Sequence, residues 1–200
     1  MKNTLDNTSP AAGTAAPYWR CRDRILTLER PLIMGILNVT PNSFSDGGRH
    51  NSPAAAVAYG LQLVEEGTDI LDIGGESTHP GAAPVTVEEE IARVEDVIRE
   101  LSGETDTPIS IDTRNAAVAR AAIEAGAVII NDITGLGDPQ MRAVARETGA
   151  GSVIMHMQGE PRTMQQEPVY KDVVGEVYDW LRRRVDDVVA DGIALDTLTI

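Results

Sequence analysis

Asp112 closes the run Ile109-Ser110-Ile111-Asp112, and Asn131 closes Val128-Ile129-Ile130-Asn131. Both runs read as strands. Side chains alternate along an extended chain, so each polar group shares a face with the residue two before it. A buried carboxylate and a buried carboxamide must find hydrogen-bond partners. These partners are either a network inside the protein or a ligand. Together the two groups make a clamp for a flat heterocycle with donors and acceptors on its edge. The carboxylate accepts from amino and ring N–H groups, and the carboxamide both donates and accepts. Asn38 stands at the end of a third run, 32–39. Its amide oxygen either caps the strand or ligates a hard cation such as Mg2+, which takes one or two protein oxygens together with waters and phosphates. After a further run come Met155, as cavity wall or core, and His156, more often structural than catalytic at such a place.

Two polar loops stand behind these strands. TPNSFSDGGRH (40–50) is longer than the usual 2–6 residues of a strand-to-helix connection. ESTHPGAAP (76–84) brings the hydroxyls of Ser77 and Thr78, and His79, around a Pro-Gly turn. Either could be an ordinary flexible loop. Two of them at one mouth favour lids that order over a substrate.

The elements that must position these groups follow from periodicity. Apolar β-rich runs at 32–39, 69–75, 108–113, 127–134 and 151–157 alternate with helix-period stretches at 53–66, 86–101, 114–125, 139–148 and 171–191. Ser52-Pro53 and Asp138-Pro139 read as helix starts, and Thr86 with Glu89 as a capping box. Gly67, Gly126, Gly149 and Gly192 each follow a helix. Continuous apolar strands separated by helices imply a parallel sheet covered on both faces. An open doubly wound sheet gathers its site at one crevice, whereas every strand of a (β/α)8 barrel ends at one mouth. Polar groups end five successive strands here, which favours the α/β barrel. Residues 18–30 are expected to form a short hairpin or strand plugging the barrel bottom.

A chain of 200 residues, 42% hydrophobic and 24% charged, suffices for one domain. A barrel needs eight strands and about 250 residues. Five units are complete, and Leu198-Thr199-Ile200 opens a sixth strand, so the sequence reads as the front part of a longer barrel. Residues 1–17, rich in Ala, Thr, Pro and Asn, read as a disordered tail without the apolar middle of a signal peptide, and 18–200 as the domain. A net charge of −14 argues against a nucleic-acid partner and against an acidic membrane surface. The single Cys21 fits a reducing, cytoplasmic compartment.

MGILNVTPNSFSDGG (34–48), DIGGESTHPGA (72–82), ISIDT (109–113), IINDITG (129–135) and MHMQGEPRTMQ (155–165) resemble the dihydropteroate synthase family in order and spacing. The resemblance covers about residues 31–200. It implies a TIM barrel of folate biosynthesis that joins 6-hydroxymethyl-7,8-dihydropterin diphosphate to 4-aminobenzoate and releases diphosphate, with Mg2+ as cofactor. Carried over, Asn38 matches the Mg2+ ligand. Asp112, Asn131 and Met155 match pterin contacts, and Thr78 with His79 the diphosphate contacts. Phe44 and Pro80 match residues shaping the 4-aminobenzoate and sulfonamide pocket. Asp46, Thr78 and His79 fall at the catalytic positions. The family usually has Arg where His79 stands, and His is mostly neutral at pH 7.

The family's Asp-Pro-Gly motif, its Lys on strand seven and its Arg-x-His on strand eight have no counterpart within these residues. Much of its dimer contact lies there too, so the full-length form is expected to be a homodimer. The isolated 200 residues are expected to lack synthase activity. A pterin-binding methyltransferase domain shares the barrel and the clamp without needing the two loops. A non-catalytic pterin-binding remnant is the other alternative. If residues 40–50 and 76–84 are lids, their amides exchange fast in the free protein and slow when pterin, diphosphate and an aminobenzoate analogue are all present. Equal exchange with and without ligands would count against the lids.

Overall fold

The computed structural model describes residues 16–40, 53–76, 85–159, 163–164 and 167–200. Nearly all of the tail reading at 1–17, the cap reading at Ser52, and most of the loops 40–50 and 76–84 lie outside these residues. The chain opens with an antiparallel hairpin, β1 (Tyr18–Cys21) and β2 (Arg24–Thr27). Five strand–helix units follow. They are β3 (Met34–Asn38) with α1 (Pro53–Glu65), β4 (Ile70–Gly74) with α2 (Val87–Glu104), β5 (Ile109–Asp112) with α3 (Ala116–Ala125), β6 (Ile129–Asp132) with α4 (Pro139–Thr148), and β7 (Gly151–Ile154) with α5 (Val173–Ala190). A 3-10 turn, Leu195–Thr197, leads into β8 (Leu198–Thr199).

Strand order settles the architecture. The six strands β3 to β8 pair in parallel and lie side by side in chain order. A doubly wound sheet reverses its order at a switch point. No reversal occurs among the described strands. Right-handed crossovers that always step the same way put every helix on one face and leave the other face inside. This is the wall of a (β/α)8 barrel, present as five units and a sixth strand.

The helix boundaries follow from local chemistry. Thr86 accepts a hydrogen bond from the Glu89 amide at 3.2 Å, and Asp138 accepts from Gln140 ahead of Pro139. The capping box at Thr86 is only half made, because the Glu89 carboxylate turns instead to Arg93, four residues on, at 2.6 Å. Gly126 and Gly149 close α3 and α4 with φ of 127° and 66°, a region that costs glycine nothing. No helix among the described residues is long and apolar enough to cross a membrane.

Two cores result. Leu71, Ile73, Ile109, Ile111 and Ile130 face outward and pack under the helices, against Val94, Ile98, Leu101 and Ala122. Each fully buried Leu or Ile contributes about 1.5–3 kcal/mol. The second core lies inside, where Trp19 and Cys21 of the hairpin meet Ile70, Val128 and Ile129 at the start of the strands. The expected plug is therefore a two-stranded hairpin. Trp19 Nε1 donates to the Thr197 carbonyl at 2.8 Å, and Arg20 forks onto Asp196 at 2.7 and 2.9 Å. At Gly151 an added Cβ would lie 2.5 Å from Cys21 Sγ and 3.0 Å from the Trp19 ring. Gly151→Ala should therefore cost about 1–3 kcal/mol by overpacking. Adding Cys21→Ala should recover part of that loss in a double-mutant cycle followed by chemical denaturation. Strictly additive losses would place the strain elsewhere.

Candidate functional site

Register assembles the site. Asn38 lies level with Gly74, Gly74 with Asp112, and Asp112 with Asn131. One rung across four adjacent strands thus carries Asn38, a glycine, Asp112 and Asn131 at the carboxyl ends. Gly74 keeps that rung open. A Cβ on it would sit 3.5 Å from Asn38 Oδ1 and 3.7 Å from Asp112 Oδ2. One layer deeper the same face carries Ile36, Asp72, Ser110 and Ile129.

Asp72 ties the two layers together. It is only 4% exposed, and its Oδ2 accepts from Asn131 Nδ2 at 3.0 Å. That contact reaches across β5. It fixes the Asn131 carboxamide with its donor side inward, leaving the amide oxygen free to accept. Asp72 Oδ1 and Ser110 Oγ are buried without a well-formed hydrogen bond among the described residues. Sequence reading missed Asp72. The signal was present in Ile70-Leu71-Asp72-Ile73-Gly74, where alternation sets the one charged side chain on the face opposite Leu71 and Ile73.

The electrostatics are one-sided. Burial pushes the Asp112 carboxyl up to about 7, reinforced by the charges of Asp72, Glu90, Asp132 and Glu76. Burial also raises Asp72, with the nearby Ser110 hydroxyl and the Asn131 amide opposing. Near neutral pH Asp112 therefore exchanges a proton readily. It can meet a ligand as acceptor or as donor.

The other residues singled out from sequence divide clearly. Met155 is half-buried one residue past β7 and keeps the parity of Gly151 and Val153. His156 has the opposite parity and stands edge-on to the Trp180 ring at 5.1 Å, with Tyr170 at 6.0 Å, which is an aromatic packing role. Asp132 is fully buried and holds its own turn, accepting from the Thr134 amide at 2.8 Å and the Leu136 amide at 3.0 Å. Phe44, Asp46, Thr78, His79 and Pro80 lie outside the described residues. Among the described residues, no three His, Cys, Asp or Glu side chains group to hold a metal. Asn38 is exposed at the mouth and offers one amide oxygen. A single hard donor beside an open glycine fits Mg2+, which completes its shell with waters and phosphates.

Residues 34–200 match the family of pterin binding enzymes. The chain belongs to that family. Among similar proteins, the dihydropteroate synthase of Neisseria meningitidis serogroup C is 46% identical over 93% of this chain and 66% of its own length. That of Escherichia coli (strain K12) is 46% identical over 88% of this chain and 62% of its own. A solved Xanthomonas albilineans dihydropteroate synthase with 4-aminobenzoic acid superposes with a TM-score of 0.84 at 48% identity, over 92% of this chain and 65% of that one. The same organism's enzyme in complex with 7,8-dihydropteroate gives 0.79 at 46% identity, over 91% and 64%. The chain thus spans just under two thirds of the length of the curated relatives it matches.

A raised carboxyl has a defined pH signature. Asp112 binds its proton more tightly in the fold than in the unfolded chain, so it costs nothing below about pH 4. Between there and about pH 7 the cost grows with pH, by about 1.4 kcal/mol for each pH step of one. Asp112→Asn should therefore match the parent in stability near pH 4 and exceed it by about 1–3 kcal/mol at pH 8. The same change swaps an acceptor for a donor, and pterin affinity should fall roughly 10- to 100-fold. Denaturation at the two pH values and calorimetry check both halves. Parallel pH profiles or unchanged affinity would remove Asp112 from this role.

Proposed function

We propose that the chain builds the pterin-holding part of a dihydropteroate synthase. The reaction joins 6-hydroxymethyl-7,8-dihydropterin diphosphate to 4-aminobenzoate. The carbon–oxygen bond to diphosphate breaks, a carbon–nitrogen bond to the aromatic amine forms, and the amine gives up a proton. The rung of Asn38, Asp112 and Asn131 at one mouth carries this reading. The names and bound molecules of the similar proteins support it.

In this reading Asp112 accepts from the pterin's amino and ring N–H groups. Asn131, turned by Asp72, presents its oxygen to the same edge, and Met155 forms a wall. Thr78 and His79 hold the diphosphate, Phe44 and Pro80 shape the aminobenzoate pocket, and Asp46 belongs to the covering loop. Asn38 would hold Mg2+, whose charge offsets that of the departing diphosphate. Closure over the mouth keeps water from the electron-poor methylene carbon. In this reading the protein works in the cytoplasm, and its full-length form is a homodimer.

Titration calorimetry with 6-hydroxymethylpterin tests the reading. Saturable binding is expected, with 7,8-dihydropteroate competing for the same site. An absence of pterin binding would overturn it. Binding that dihydropteroate cannot displace would keep a pterin site and remove the synthase.

A further inference from the structure

Glu90 stands in the first turn of α2 and is 1% exposed. Among the described residues it forms no ion pair with a cation. A buried carboxylate in that state is expensive, and an aliphatic side chain of similar size would fill the space more cheaply. Its oxygens must therefore be there for what they bind. Oε1 accepts from Thr113 Oγ1 at 2.7 Å, and Oε2 accepts from Asn115 Nδ2 at 2.6 Å. Thr113 follows Asp112 directly, and its amide donates to the Asn131 carbonyl at 3.1 Å. Its hydroxyl also accepts from the Asn115 amide at 3.1 Å. One carboxylate thus grips the turn that leaves β5, and that turn is bonded to the end of β6.

The same stretch of helix grips the end of β4. A Cβ on Gly75 would meet Glu90 Cγ at 3.1 Å and the Glu90 carbonyl oxygen at 3.2 Å, so the strand end lies flat on the helix there. Arg93, one turn on, donates to the Gly75 carbonyl at 2.8 Å. Arg114, between the two residues that Glu90 holds, forks onto Glu76 at 3.3 Å. The three strand ends that carry Gly74, Asp112 and Asn131 are therefore joined behind the mouth through α2.

We infer that Glu90 is a positioning residue for the pterin-binding rung, holding the exits of β4 and β5 so that Asp112 and Asn131 stay level. The inference rests on the pterin reading for what the rung binds, and on geometry alone for what Glu90 holds. Glu90→Ala removes both acceptors. Glu90→Gln keeps one acceptor for Thr113, and its new donor is satisfied once the Asn115 carboxamide flips. Val97→Ala, from the same buried face of α2, loosens the helix without touching either exit.

Amide exchange and 6-hydroxymethylpterin affinity are measured on all three, under conditions where circular dichroism shows them folded. Glu90→Ala should speed exchange at Thr113 and Asn115 by about tenfold or more and weaken pterin binding by about tenfold. Glu90→Gln should bring both back to within about threefold of the parent, and Val97→Ala should move neither. Parent-like exchange in Glu90→Ala, or equal effects from Val97→Ala, would overturn the inference. If exchange responds as expected while the unchanged chain takes no pterin, Glu90's positioning role stands and the pterin reading falls.

Discussion

The Asn131–Asp72 hydrogen bond joins two strands that are not neighbours, and the site depends on it. A net gain of about 1.5–3 kcal/mol is typical of a hydrogen bond to a charged group. That is modest against the cost of burying a carboxylate. Its structural consequence is larger than its energy. It orients a side chain that could otherwise rotate, stacks one interior layer on the next, and decides which end of a carboxamide looks out of the barrel. Ser110, on the strand between, is small enough to leave the path clear.

The interior opposes its own folding near neutral pH. Asp72, Asp112, Glu90 and Asp132 are all pushed up by burial, and the chain as a whole carries −14. Nothing on the described interior face offers a cation to the upper layer. The outer core of Leu, Ile and Val sustains this cost, and the helix network behind the strands keeps it from distorting the mouth. A ligand rich in N–H donors would find acceptors already oriented and poorly solvated. Such sites bind through groups that the fold alone leaves partly unsatisfied.

The fold was legible because it rests on periodicity. Apolar runs with glycine-closed helices between them could only be a parallel sheet, and the polar strand ends pointed to one mouth. Asp112 and Asn131 were legible for the same reason, since alternation names their face. Asp72 was not, because an acidic residue inside an apolar run draws less notice than one at its end. Glu90 was hidden by its neighbours. In Glu88-Glu89-Glu90 three acids look like a solvated first turn, and only tertiary packing shows that the third points inward. The capping box was read correctly at Thr86. It was overread at Glu89, where a nearby arginine competes better for the carboxylate than the helix end does.

The hairpin at the barrel bottom has a consequence for the order of events during synthesis. Trp19 and Arg20 are among the first described residues to leave the ribosome, yet their partners Thr197 and Asp196 lie 178 and 176 positions later. At a translation rate of about 5–20 residues per second, those contacts wait roughly ten to forty seconds for their other half. Through that interval the Trp19 ring and the Cys21 thiol can bury themselves only against whichever strands have already emerged. β7, whose Gly151 leaves room for both, is nearly the last of these. The hairpin is made early, and its bonds to Thr197 and Asp196 close only once the turn ahead of the sixth barrel strand has been made.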